Sequence, residues 1–268
     1  MLAQRLIVTI LLIPIGVALI VLGGWGFAVA TALIFGYAAW EYWRIFNRGG
    51  YQPSAPVLIA GVAGMVIARQ MSGFAASGLI LGLAVLLAMA EQIVRYEKGS
   101  NTSSLDFNVT LGGILYLGWL GAYFVSLRGL PDGQWWLLLV LPACWIGDGA
   151  AYFIGSHFGK HKLSPRVSPK KTWEGYLGGI LFGALGTLLL AALWHLRAPG
   201  ITPLRGFILG LAVCVIAPLG DLGESMLKRG FGVKDSGALL PGHGGILDRM
   251  DSWLWAVAIG YYLILWAL

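Results

Sequence analysis

The sequence predicts an all-α, polytopic integral membrane protein, with about nine transmembrane helices and two functional cytoplasmic loops in a single membrane domain over residues 1–268. Three observations lead there. Hydrophobic residues make up 58% of the chain, charged residues only 11%, and the mean hydropathy is +0.78, whereas a soluble domain carries about 25% charged residues. The apolar residues fall in runs close to the roughly 20 residues that a span needs, which leaves no stretch for a separate soluble domain. The cations behind the formal charge of +6 sit in the short segments between runs, where orientation signals lie; this placement argues against a nucleic-acid partner.

Taken in order, apolar runs place helices over residues 6–22 and 27–46, then a Gly- and Ala-rich pair over 56–68 and 74–90. Further helices follow over 109–125, 135–153, 176–196, 204 to about 229, and 252–268. Residues 1–130 read as scaffold helices and 131–268 as the catalytic helices and loops. Arg5 precedes a long apolar run with no clear cleavage site, so the first run reads as a span and not as a signal peptide. The forty glycines suit close helix packing. Trp25, Trp40, Trp43, Trp135, Trp136 and Trp253 fall near span ends, as interfacial belts do. Cys144 and Cys214 lie inside apolar runs without metal-like spacing and read as packing residues. The glycosylation patterns at Asn101 and Asn108 fall in a cytoplasmic loop and at a span start, where chance explains them.

With a cytoplasmic N-terminus, fourteen of the eighteen basic residues fall inside, and only Arg69, Arg128, Arg197 and Arg205 fall outside. The positive-inside rule favours that orientation. Both long polar loops, residues 155–175 and 230–251, then face the cytoplasm, where a soluble substrate would meet them.

Seven of the twelve carboxylates (Asp148, Glu174, Asp221, Glu224, Asp235, Asp248 and Asp251) lie in or beside the last four runs. Ionisable groups near the bilayer interior are costly and mark a functional path or a paired structural site. Asp148 sits within an apolar run and reads either as a functional group or as a capping or packing Asp. Asp221 and Ser225 share a helix face at a spacing of four. Glu224 and Lys228 share the next stripe in the favoured ion-pair order, so a helix-end pair competes with a catalytic role there. Asp221 has no cation four residues on and is the better metal candidate. Asp248 and Asp251, three apart with Arg249 between them, share a face if a helix begins near Ile246. Mg²⁺ takes one or two carboxylates plus water and phosphate oxygens; Asp221 with Asp248 or Asp251 would suit, and spacing alone leaves the choice open.

The glycines of Pro241-Gly-His-Gly-Gly245 permit close approach of a ligand, and a helix starting after them would direct N–H groups towards an anion. His243 reads as a phosphate donor, a general acid/base or a turn-stabilising side chain; with no second histidine nearby it does not read as a metal ligand. In the other loop, the cations of residues 160–171 serve topology and lipid headgroups or bind phosphates. Cations beside metal-binding carboxylates fit phosphoryl or nucleotidyl transfer, which needs positioning and charge neutralisation and often no protein nucleophile. No Gly-x-Ser-x-Gly elbow supports a serine hydrolase.

Ser225-x-Leu-Lys-Arg229, Lys234-Asp235, Pro241-x-His-Gly-Gly245 and Asp248-Arg-Met-Asp251, with their spacing over 27 positions, resemble the hallmark of the phosphatidate cytidylyltransferases, or CDP-diacylglycerol synthases. Gly220-Asp-Leu-x-Glu-Ser225 and Ser168-Pro-x-Lys-Thr-Trp-Glu-Gly175 are similar to the same family. One departure is Gly149, where the resemblance leads one to expect Thr after Asp148. The resemblance implies that CTP and phosphatidic acid give CDP-diacylglycerol and pyrophosphate. It implies Asp221 and Asp248 as ligands of Mg²⁺, with a second, monovalent cation such as K⁺. Lys228, Arg229 and Lys234 would neutralise phosphates, Ser225 and His243 would donate hydrogen bonds, and Asp251 would complete the catalytic set. Ser168, Lys170 and Lys171 would close the site, Gly244 and Gly245 would let backbone approach, and Asp148, Glu174, Asp235 and Arg249 would join in substrate binding. The implied setting is a bacterial inner (plasma) membrane, with the active site facing the cytoplasm, membrane lipids as partners, no nucleic acid, and a homodimer as the candidate assembly. The alternatives are transfer to another lipid phosphate, such as an isoprenoid-type one, and an ion-coupled transporter lined by Asp148 and Asp221. The latter would show inverted halves or helices broken at matching positions, and the sequence shows neither.

Overall fold

In the computed structural model, which describes residues 2–239 and 244–267, nearly all of the chain is helical. The order is α1 (Leu2–Leu22), α2 (Gly24–Arg48), α3 (Ala55–Glu97), α4 (Ser103–Gly113), a π-helical segment (Ile114–Trp119), α5 (Tyr123–Arg128), α6 (Gly133–Phe158), β1 (Lys162–Ser164), β2 (Ser168–Thr172), α7 (Trp173–Trp194), α8 (Pro203–Gly230) and α9 (Leu247–Trp266). Sequence explains the boundaries. Ser54 caps α3, its hydroxyl accepting from the Val57 N–H at 3.4 Å, and a proline follows in the first turn. Helical geometry fails inside α3 at Ser72 and Gly73 (φ 65°), which is where the two Gly- and Ala-rich runs were expected to part.

Among the described residues, five helical stretches are long and apolar enough to cross a bilayer, where the sequence led to an expectation of about nine: Ala55–Glu97, Ser103–Arg128, Gly133–Phe158, Trp173–Trp194 and Pro203–Gly230. Their surfaces expose large apolar side chains such as Leu79, Leu86, Leu181, Leu189 and Leu193, which lipid tolerates and water does not. The chain is an all-α membrane protein.

The chain forms two compact units, residues 1–126 with 230–250 and residues 127–229 with 251–268. In the first unit Phe35, Leu58, Met65, Ile114 and Leu117 are fully buried. Gly118 brings its helix close to α3, where an added Cβ would lie 3.0 Å from Val62 Cα. Arg69 stacks its guanidinium 3.8 Å over Phe74 and donates to Ser77 at 2.9 Å and Ser126 at 2.8 Å.

In the second unit α6 and α7 pack through small residues. An added Cβ at Gly179 would meet Ala151 Cβ and the Gly147 carbonyl oxygen, each at 2.9 Å, so only a bare backbone allows this approach. Cys144 and Cys214 are buried and unbridged, their Sγ atoms lying 3.7 Å from the Val140 carbonyl and 3.6 Å from the Ala143 carbonyl. They are packing residues, as expected. The hairpin of β1 and β2, paired antiparallel with Lys162 opposite Thr172, was not anticipated.

Candidate active site

The end of α8 carries two polar pairs. Ser225 donates to Asp221 Oδ1 at 3.2 Å, confirming the shared face, and Lys171 from β2 places its Nζ 2.5 Å from Asp221 Oδ2. One turn away, Lys228 Nζ lies 2.5 Å from Glu224 Oε2, and these side chains are only 9% and 1% exposed. The helix-end pair foreseen for Glu224 and Lys228 therefore forms, but buried, where both charges are largely desolvated. Arg229 is exposed beside it.

Thr172 ends the hairpin and caps α7, its hydroxyl accepting from the Gly175 N–H at 3.2 Å. Glu174 turns back onto its own loop, accepting from the Lys160 N–H at 3.1 Å and lying 2.6 Å from His161 Nδ1. In this state it closes the neck of the hairpin. Lys171 reaches Asp221, Lys170 is exposed and Ser168 is half-buried opposite Ser164. Asp148 is in the interior of α6, away from the helix ends, and is exposed. With Cys144, Tyr176 and Cys214 it lines a cavity of about 20 Å³, room for one water. Asp251 is 9% exposed, and its carbonyl packs where Gly220 lacks a side chain.

In the first unit, Asp248 Oδ2 accepts three hydrogen bonds: from the Ser236 N–H at 2.9 Å, the Ser236 hydroxyl at 3.0 Å and the Gly245 N–H at 2.8 Å. A residue that sequence reasoning passed over completes this cluster. Glu41 of α2 is fully buried, and its Oε2 accepts from the Ser236 hydroxyl at 3.0 Å and the Leu247 N–H at 2.8 Å. The sequence signal for it was a carboxylate set among aromatics in a mostly apolar helix, three residues before Arg44.

Gly244 takes φ +80°, a left-handed conformation that glycine adopts readily. The expectation that the following helix start offers its N–H groups to a bound anion needs correction. The Gly245 and Leu247 donors are occupied by Asp248 and Glu41, so the protein's own carboxylates take the place that an anion would hold. Lys234, Asp235 and Arg249 are exposed. Pro241 and His243 lie outside the described residues.

No cluster of three or more His, Cys, Asp and Glu stands ready for a metal among the described residues. Asp221 in the second unit and Asp248 in the first each present a carboxylate, the hard oxygen donor that Mg²⁺ takes. Each is also held in place by neighbouring donors, Ser225 on one and Ser236 and Gly245 on the other, as metal-binding carboxylates commonly are.

A profile of the cytidylyltransferase family matches residues 3–267. This chain belongs to that family. It is 35% identical to a phosphatidate cytidylyltransferase of Pseudomonas aeruginosa, covering 100% of this chain and 98% of that one. It is 34% identical to one of Bacillus subtilis, covering 97% of each chain. Against one of Synechocystis it is 31% identical over 97% of this chain and 96% of that one. The chain is therefore a nucleotidyltransferase embedded in a membrane, and the transporter alternative has no support.

Proposed function

We propose that this chain is a CTP:phosphatidate cytidylyltransferase, making CDP-diacylglycerol and pyrophosphate for phospholipid synthesis. Similarity to phosphatidate cytidylyltransferases along almost the whole chain carries the reading, and the charged stretch from Ser225 to Asp251 supports it. A phosphate oxygen of phosphatidic acid attacks the α-phosphorus of CTP. The new P–O bond forms as the bond to the α,β-bridging oxygen breaks, and pyrophosphate leaves with that electron pair. Attacker and target are both anions, so the protein's task is to cancel repulsion and hold the phosphates in line.

Asp221 and Asp248 are the carboxylates that the resemblance assigns to Mg²⁺, with a K⁺-like ion as the second cation. Mg²⁺ supplies Lewis-acid polarisation of phosphate oxygens when bound. Lys171, now on Asp221, and the exposed Lys170, Arg229, Lys234 and Arg249 are the cations proposed for the triphosphate and the lipid headgroup. Lys228 is engaged with Glu224 and would have to exchange that partner to reach a phosphate. Both polar loops are read as cytoplasmic from the distribution of basic residues, and the inner membrane of a bacterium is the setting that the family resemblance implies.

Purified protein, Mg²⁺, each labelled nucleotide in turn and phosphatidic acid test the reading. Pyrophosphate release that requires both CTP and phosphatidic acid is expected. Equal release with an isoprenoid-type phosphate, or with another nucleotide, would overturn the substrate assignment.

A further inference from the structure

We infer that Glu41 is a positioning residue of the transfer site, a buried carboxylate on α2 that fixes the Asp248 carboxylate through the Ser236 hydroxyl and the first N–H of α9. The inference rests on the role proposed above for Asp248. Four observations carry it. Glu41 is fully buried, an expensive place for a carboxylate unless its bonds matter. Its Oε2 meets donors 195 and 206 residues away in sequence, from Ser236 at 3.0 Å and Leu247 at 2.8 Å. The Ser236 hydroxyl also lies 3.0 Å from Asp248 Oδ2. A hydroxyl has one proton to give, so two carboxylates sharing it form one coupled unit: whichever one Ser236 serves, the other relies on its backbone donors. Finally, an added Cβ at Gly245 would strike Ser236 Oγ and both Glu41 oxygens, and one at Gly237 would strike Glu41 Oε1. The backbone before α9 is shaped around this one side chain.

Folding alone gives little reason for a carboxylate here. Glu41 Oε1 is buried with no hydrogen-bond partner among the described residues, and an apolar side chain of similar size would avoid that cost. What an apolar side chain cannot supply is the pair of hydrogen bonds that set the position of Ser236 and of the start of α9. The same segment is held a second time by Phe231, whose ring packs 4.7 Å from Phe46 and 5.9 Å from Tyr51.

The test uses the full-length purified protein and four single variants, Glu41→Leu, Glu41→Gln, Ser236→Ala and Asp248→Asn, with the double variant Glu41→Leu/Asp248→Asn. Cytidylyl transfer, thermal unfolding and amide hydrogen exchange over residues 236–248 are measured. Glu41→Leu should lower turnover about 10- to 100-fold, the usual cost of losing a partner that orients a metal-binding group. It should still unfold in one cooperative transition, with a midpoint lowered by a few degrees because the buried Leu247 N–H loses its acceptor, and accelerate exchange at Ser236, Gly245 and Leu247. Glu41→Gln, whose amide oxygen accepts the same two bonds, should recover most of the turnover. The double variant should be no worse than Asp248→Asn alone. Additive losses, unchanged exchange, or full turnover in Glu41→Leu would overturn the inference. If Glu41→Leu does not fold, Ser236→Ala decides by the same combination with Asp248→Asn, coupled losses supporting the inference and additive ones overturning it. Should Asp248→Asn itself keep normal turnover, the assignment of Asp248 fails, while faster exchange in Glu41→Leu still shows that Glu41 orders the segment.

Discussion

The buried pair of Glu224 and Lys228 gives a sharp way to separate structural from catalytic charge. At the surface an i,i+4 pair contributes only about 0.3–0.5 kcal/mol. Here the side chains are 1% and 9% exposed and the charged atoms 2.5 Å apart, so removing one partner strands a desolvated charge at a cost of about 3–5 kcal/mol. Glu224→Gln and Lys228→Met, measured by thermal unfolding in detergent, should each lower the midpoint by roughly 10 °C. The paired variant Glu224→Leu/Lys228→Met removes both charges and should return to within about 1 kcal/mol of the native protein. Its activity then decides the role of Lys228. If Lys228 exchanges Glu224 for a phosphate during transfer, the paired variant folds normally yet loses about 100-fold or more in kcat/KM. Native turnover in a stable paired variant would refute that role. A paired variant as unstable as the single ones would refute the account of the pair itself.

Lys171→Met breaks a half-exposed pair with Asp221 and should cost under about 1 kcal/mol of stability, while raising the KM for CTP about tenfold or more; steady-state kinetics beside a melting curve check both. On the metal-binding role proposed for Asp248, Asp248→Asn should lower turnover by about 100-fold or more, through the several kcal/mol of transition-state stabilisation that a metal ligand supports, with the fold intact by thermal unfolding. Gly183→Ala would push a Cβ against Cys214 Sγ and to 3.0 Å from Gly147 Cα, so about 1–3 kcal/mol of stability should be lost with turnover per folded molecule unchanged. Arg69→Leu should lower the unfolding midpoint by removing bonds to Ser77 and Ser126 and the stack on Phe74, and leave turnover per folded molecule unaltered.

Helices were legible because lipid demands long apolar runs whatever their neighbours. α8 ends at Gly230 and α9 begins at Leu247, close to where glycines and charges interrupt the runs. Pairs within one helix were legible too, since Asp221 with Ser225 and Glu224 with Lys228 follow from a spacing of four. Burial was not, because spacing says which side chains share a face and nothing of what covers it. The β1–β2 hairpin escaped notice for a similar reason. Lys-Leu-Ser and Ser-Pro-Lys-Lys-Thr carry no alternation of apolar and polar residues, and Pro169 argues against a strand.

Long-range partners mark the limit of sequence reasoning. Asp221 was singled out for lacking a cation four residues on, and its cation, Lys171, comes from a strand fifty residues earlier. Glu41 lies nearly two hundred residues before Ser236, in a helix otherwise read as scaffold. The family-like stretch from Ser225 to Asp251 therefore owes its local order to two sources. Its first residues take theirs from the periodicity of α8. Nearer Asp248, Ser236 and Leu247 are held by a single buried carboxylate, and Phe231 by its ring set against Phe46 and Tyr51. On the inference drawn above, the carboxylate on α2 ties Ser236 to the first N–H of α9, and so fixes the helix start that carries Asp248.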